Sequence, residues 1–264
     1  MNVNNFFVID VGNTNIIVAL IKNLKIFKIE RFKTIDIKNK NFFLFKKFNQ
    51  IKKILKIQKK IKCIVASVVP EINYKLKKIC FFFFKENPHF VSFNKTKLNI
   101  KINLKNKNQV GADRIVNTVA VKSFYSTPAL VIDFGTATTF DVINNNGDYI
   151  GGLITPGINL SLQNLHNKTS QLPLVKFKKN NKNIIGKNTK NAIQNGVYWG
   201  YVGLVTFIIK KIQTKFKKKM FCISTGGLSK IISKDINLIN AVNENLTILG
   251  LIEIFKLNYN EKYN

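Results

Sequence analysis

Acidic residues are scarce in this chain of 264 residues: 13 Asp and Glu stand against 43 Lys and Arg, a formal net charge of +30 at pH 7. Arginine is scarcer still, since Arg31 and Arg114 are the only two and nearly all the positive charge is lysine. Surfaces that read nucleic acid draw on the bidentate arginine fork and gather charge on one face. Neither feature is visible here, and nucleic acid is not expected as a partner. Lys, Asn, Ile and Phe are over-used together, and all four have A/T-rich codons. The charge therefore reads as genomic base composition expressed on solvated positions. Cysteine and histidine are also few. Cys63, Cys80 and Cys222 are scattered without a C-x-x-C pair, and His89 and His166 cannot complete a zinc site of usual spacing. Reduced thiols in a cytoplasmic protein are the expectation. Long hydrophobic runs are missing too. The greasiest stretch, Ile79 to Phe84, is far below the roughly 20 residues that cross a bilayer and is expected in the core. The opening MNVNNFFVID reaches Asp10 after a few apolar residues, which predicts a strand rather than a leader or a membrane anchor. Both the P-loop and the strand-linked G-x-G-x-x-G pattern are absent, excluding those two nucleotide folds.

What is present is an internal repeat. VIDVGNTNIIV in the first half and VIDFGTATTFDVI in the second each contain an apolar strand, an aspartate, a glycine and threonine turn, and a return strand. The two copies lie about 120 residues apart, which predicts a duplicated α/β unit. Around them, residues 41–60 carry apolar side chains at helical spacing, residues 61–69 read as a buried strand stopped by Pro70, and residues 101–108 are the best linker candidate. A division into 1–110 and 111–264 follows.

Two turns carry the expected chemistry. In Asp10-Val11-Gly12-Asn13-Thr14 the glycine admits a close anion, backbone amides with Asn13 and Thr14 donate to phosphate oxygens, and the carboxylate can reach Mg²⁺. Taken alone, this is also an ordinary hairpin turn. Its counterpart, Asp133-Phe134-Gly135-Thr136-Ala137-Thr138-Thr139 with Asp141 beyond, repeats the design. Two such hairpins can hold a polyphosphate. A third segment, Ser224-Thr225-Gly226-Gly227, ends a strand in a glycine pair on which an adenine could lie. Gly111-Ala112-Asp113-Arg114 sets a carboxylate beside a rare guanidinium at a helix start. Arg114 could clamp a substrate carboxylate and Asp113 could accept a hydroxyl proton. The Pro156-Gly157 turn after Gly151-Gly152 suits close backbone approach, and His166 is assigned no catalytic role.

DVGNT, GADR, DFGTATT with Asp141, GGLITPGI and IGKNT, in this order and at these intervals, resemble the type III pantothenate kinases across essentially the whole chain. The resemblance implies an α/β fold of two ribonuclease-H-like, actin-like ATPase domains, each a mixed sheet flanked by helices, with the active site in the cleft between them. It implies phosphorylation of pantothenate by ATP to 4′-phosphopantothenate, the first step of coenzyme A synthesis, with Mg²⁺ and a monovalent cation, K⁺ or NH₄⁺. A cytoplasmic homodimer with its active site at or near the subunit interface, and no membrane partner, is implied as well. By position, Asp10, Val11, Gly12, Asn13, Thr14, Asn15, Ile16 and Ile17 would bind ATP together with Thr136. Asp113 would be the catalytic proton acceptor, Gly111, Ala112, Asp113 and Arg114 would line the pantothenate site, Asp133 would ligate the monovalent cation, and Thr189 would touch pantothenate from the neighbouring subunit. The chain departs from the pattern at Leu104, where some members place a substrate-contacting tyrosine, and in KNKNQV before GADR, which lacks a common proline. Two other readings remain: another small hydroxy acid as acceptor, and a regulatory or nucleic-acid-binding protein whose affinity would fall steeply with salt.

Overall fold

The computed structural model describes residues 5–39, 46, 48–50, 60–178 and 184–259. The chain forms two compact units, residues 1–123 joined by 246–264, and residues 124–245.

In the first unit, three strands form an antiparallel meander: β1 (Asn5–Val11), β2 (Asn15–Lys22) and β3 (Lys25–Lys33). A short helix, α1 (Thr34–Asn39), follows. The strands β4 (Cys63–Ser67) and β5 (His89–Phe90) then add in parallel, giving the order β3-β2-β1-β4-β5. Side chains alternate across a strand. Phe7, Ile9 and Val11 accordingly share one buried cluster with Leu76, Cys80, Phe83 and Phe84 of α2 (Pro70–Phe84). Phe6 points the other way and stacks on Phe255 of the C-terminal helix α7 (Leu246–Tyr259) at 3.6 Å between ring centroids. Asp10 falls on the same side as Phe6 by that alternation. A further helix, α3 (Ala112–Phe124), packs against α7 so tightly that a Cβ on Gly250 would lie 2.1 Å from the Val116 carbonyl oxygen.

The second unit repeats the plan. Strands β6 (Ala129–Phe134), β7 (Ala137–Ile143) and β8 (Tyr149–Pro156) form the antiparallel meander, and β9 (Phe221–Thr225) and β10 (Ala241–Val242) add in parallel on the β6 side. Read from β8, its order is third, second, first, fourth, fifth, the order of the first sheet. One face is covered by α4 (Ile158–Asn167) and the long α5 (Thr189–Phe216), whose Ile193, Tyr198, Tyr201, Val205 and Ile209 join Leu130, Ile132 and Phe134 in the core. A short α6 (Ser229–Ile232) follows β9. By length and composition α5 could cross a membrane, but 44% of its most apolar window is buried inside the protein.

Three sequence expectations change. The division at residue 110 gives way to the unit boundaries above, because α7 packs on β1 and β4 and α3 packs on α7. The supposed linker at 101–108 therefore lies within the first unit. The Ile79–Phe84 run is only partly core: it ends a helix, and helical spacing leaves Phe81 and Phe82 55% and 50% exposed while Phe83 and Phe84 are buried. Gly151 and Gly152 lie in strand β8, beside a register shift opposite Val142 and Ile143 and ahead of the Pro156-Gly157 turn. The helix expected over 41–60 lies largely outside the described residues; of that stretch, Phe48 is buried against Phe83 and Phe84.

Candidate active site

Both predicted aspartates occupy the same place in their sheets, the residue before the end of the first strand or its equivalent. Asp10 pairs with Ile17 and Ala66, and Asp133 pairs with Thr139 and Thr225. Each turn is then closed by its glycine. The Gly12 amide donates to the Asn15 carbonyl at 2.9 Å, and the Gly135 amide to the Ala137 carbonyl at 3.1 Å. Asn13, Thr14, Gly135 and Thr136 are exposed at the tips, where a ligand can approach them.

The first turn is braced by a residue that the sequence pattern did not disclose. Thr34, fully buried, donates its hydroxyl to the Gly12 carbonyl at 2.7 Å and its amide to the Thr14 carbonyl at 2.9 Å. Beside the same turn stands Asp113, in the first turn of α3. Its Oδ1 accepts the Arg114 amide at 2.8 Å. A Cβ on Gly111 would lie 2.6 Å from Asp113 Oδ1, so a side chain there would push that carboxyl aside. The Asp10 carboxyl is pushed up to about 7, chiefly by burial and next by the negative charge of Asp113, against a downward pull from Arg31. Burial also raises Asp113, opposed by the Arg114 amide and guanidinium. The two arginines of the chain thus act on the two carboxylates of one site. Arg31 was missed as a site residue, although arginine's rarity was a signal that could have found it.

The second turn is gripped by two glycines. A Cβ on Gly157 would lie 2.1 Å from the Thr136 carbonyl oxygen and 2.6 Å from that of Gly135, and its amide donates to Thr136 at 3.0 Å. Gly226, at φ +87°, would place a Cβ 2.5 Å from Asp133 Oδ1 and 2.7 Å from the Phe134 carbonyl oxygen. The Asp133 turn, the Pro156-Gly157 turn and the Gly226-Gly227 pair therefore converge. Tyr201, from α5, donates its hydroxyl to the Pro156 carbonyl and receives the Thr138 hydroxyl at 3.5 Å, fixing this cluster from the core side. Asp141 is fully buried in mid-strand, near the Thr139 hydroxyl at 3.5 Å, and belongs to the framework.

Thr189 lies apart from these turns along the chain, exposed as the first residue of α5. The helix is capped by the Asn188 side chain, which accepts the Asn191 amide at 2.9 Å, and Gly186 folds back so that a Cβ would meet the Ala192 amide nitrogen at 2.2 Å. Thr189 lines an apolar groove of about 340 Å³ with Leu165, Leu172, Ala192, Ile193, Gly196 and Val197. Leu104 is half-buried. His166 rests on the Leu172 carbonyl at 2.8 Å, in keeping with a structural role.

Among the described residues no group of three or more His, Cys, Asp and Glu side chains could cage a metal. A pair of carboxylates fits Mg²⁺ nonetheless, because that ion is held by one or two carboxylates with substrate phosphates and waters.

Two mixed sheets of this order, flanked by helices and each opening on an aspartate and glycine turn, make the fold actin-like, of two ribonuclease-H-like domains. The inorganic polyphosphate/ATP-glucomannokinase of Arthrobacter shares the fold, with a TM-score of 0.52 at 13% identity over 95% of this chain and 98% of that one. Sequence comparison is more specific. The family profile described as type III pantothenate kinase matches residues 6–211. The type III pantothenate kinase of Bacillus cytotoxicus is 39% identical over 96% of both chains, and that of Paramagnetospirillum magneticum 44% identical over 74% of this chain and 75% of its own. The chain belongs to the type III pantothenate kinase family.

Proposed function

We infer that this chain transfers the terminal phosphoryl group of ATP to the primary hydroxyl of pantothenate, giving 4′-phosphopantothenate and ADP, the entry step of coenzyme A synthesis. Family membership supports the reaction. The observation that carries the residue roles is the nearness of the Asp113 carboxylate, whose charge repels that of Asp10, beside a braced, glycine-closed turn.

In this reading the Asp10–Ile17 turn takes ATP phosphates through its exposed Asn13 and Thr14, and Thr136 takes part from the second turn. Mg²⁺ would be held at Asp10, screening phosphate charge and relieving the repulsion between Asp10 and Asp113. Asp113 accepts the proton as the hydroxyl oxygen bonds to phosphorus and the bond to ADP breaks. Phosphoryl transfer asks little of a base because its transition state is loose, so positioning matters most. A carboxylate raised by burial is still a better acceptor than an ordinary one. Arg114 offers its fork to the substrate carboxylate. Asp133, with Gly226 and Gly135 clearing space around it, is the candidate ligand for K⁺ or NH₄⁺.

A homodimer is supported by α5. Residues 191–209 carry no charged side chain in a chain of net charge +30. A Cβ on Gly196, Gly200 or Gly203 would meet nothing within 4 Å among the described residues, and Trp199 and Phe207 are exposed on the same side. Two copies could cross there, with Thr189 at the helix start reaching a neighbouring active site. A cytoplasmic location accords with the buried, reduced Cys63, Cys80 and Cys222. The deciding experiment is ADP release with and without pantothenate, potassium and Mg²⁺. Release that ignored pantothenate would sink the assignment.

A further inference from the structure

Strand β4 runs parallel to β1 with Ala66 opposite Asp10 and Ser67 opposite Val11, so the residues just after it emerge beside the first phosphate turn. The segment Ser67-Val68-Val69-Pro70 is held firmly there. The Val68 amide donates to the Val11 carbonyl at 3.0 Å. Ser67 donates its hydroxyl to Asn73 Oδ1 at 2.6 Å and accepts the Val69 amide at 3.3 Å, while Pro70 opens α2. Val69 is buried and Val68 only half so.

The half-exposed Val68 side chain lies next to the acceptor loop. A Cβ built on Gly111 would be 3.5 Å from Val68 Cγ1 and 2.6 Å from Asp113 Oδ1, so the methyl and the carboxylate flank one point. Val68 packs partly on the core cluster of the first sheet and leaves the rest of its side chain exposed beside the Gly111 loop, an apolar surface that suits an acceptor with an apolar part beside its reacting oxygen. Pantothenate has one: the carbon next to its reacting CH₂OH is quaternary and carries two methyl groups.

We propose that Val68 is a specificity-determining residue whose side chain packs against the two methyl groups flanking the accepting hydroxyl, selecting branched acceptors and pressing the hydroxyl toward Asp113. This rests on pantothenate being the acceptor. A methylene's worth of contact in such a pocket changes kcat/KM by about tenfold or more, and a fixed backbone delivers that contact without ordering cost.

The test compares pantothenate with an analogue lacking both methyl groups, for wild-type enzyme, Val68→Ala and Val68→Ile, with melting temperature and the KM for ATP measured alongside. Wild type is expected to favour pantothenate by at least about tenfold. Val68→Ala should bring the ratio toward unity. Val68→Ile should depress pantothenate turnover while sparing the unbranched analogue. In both variants the KM for ATP should stay near the wild-type value. A preference ratio unchanged in the two variants overturns the proposal, as does a wild type indifferent to the methyl groups. Wild type without pantothenate-dependent ADP release would instead overturn the function on which the proposal stands.

Discussion

Two carboxylates brought together and partly desolvated make the chemistry of this site depend on pH. Asp10 titrates near 7 in the folded chain against an ordinary 3.8, so the folded state holds its proton more tightly than the unfolded one. Between those values stability falls as pH rises, because the carboxyl stays protonated when folded and gives up its proton on unfolding. Asp10→Asn is expected to raise the melting temperature at neutral pH and to flatten its dependence between about pH 4 and 7, while Mg²⁺-dependent ATP binding is lost. Thermal melts across that range check the first part and ATP titration calorimetry the second. Arg31 draws the Asp10 value down. Its replacement by Ala should move the acidic limb of the kcat/KM profile upward, measurable from pH–rate curves. Asp113→Asn should lower kcat by about 10²- to 10⁴-fold with the melting transition retained, the usual weight of a positioned general base.

At the scale of elements, tight turns do the holding and glycines decide how closely they approach. Gly157→Ala must displace the Thr136 carbonyl from a contact of 2.1 Å, so the second turn should shift. We expect a loss of at least about 2 kcal/mol in urea unfolding, or insoluble protein. A Cβ on Gly200 would meet nothing within 4 Å among the described residues, so Gly200→Arg should leave the monomer's melt near wild type yet separate the proposed dimer in sedimentation. The elements themselves were well marked in the sequence. Asp10 and Asp133 announce matching strand ends because period-2 hydrophobicity stops at a charge and a glycine, signals that lie within a few adjacent residues. Thr34, Tyr201 and Val68 were not legible. Their partners are distant in sequence, the Gly12 and Pro156 carbonyls and the Gly111 loop, and nothing in a threonine after a strand or a tyrosine in an apolar helix distinguishes a brace from filler. The Phe81 and Phe82 exposure was missed for a related reason: an apolar run shows hydrophobicity, whereas the helix that contains it decides which side each ring faces.

For the whole molecule, the duplicated topology was readable and the unit boundaries were not. The repeat survives as an identical strand order in both sheets, but the helices that complete the first unit come from two stretches of chain separated by the entire second unit. The charge of +30 also belongs to this scale. If it is solvated surface, kinase turnover should change little between 50 and 200 mM salt, whereas any binding to DNA should fall by orders of magnitude over that range and show no sequence preference. Filter binding and coupled turnover in the same buffers would separate the two.

The split first unit bears on how the protein is made. Phe6 has Phe255 as its stacking partner and Val116 packs on Gly250, so a nascent chain still tethered to the ribosome can complete the later half before the earlier one. The sheet carrying Asp10 lacks α7 until residues 246–259 are made, and a message cut after Asn245 is expected to yield a first unit open to proteases.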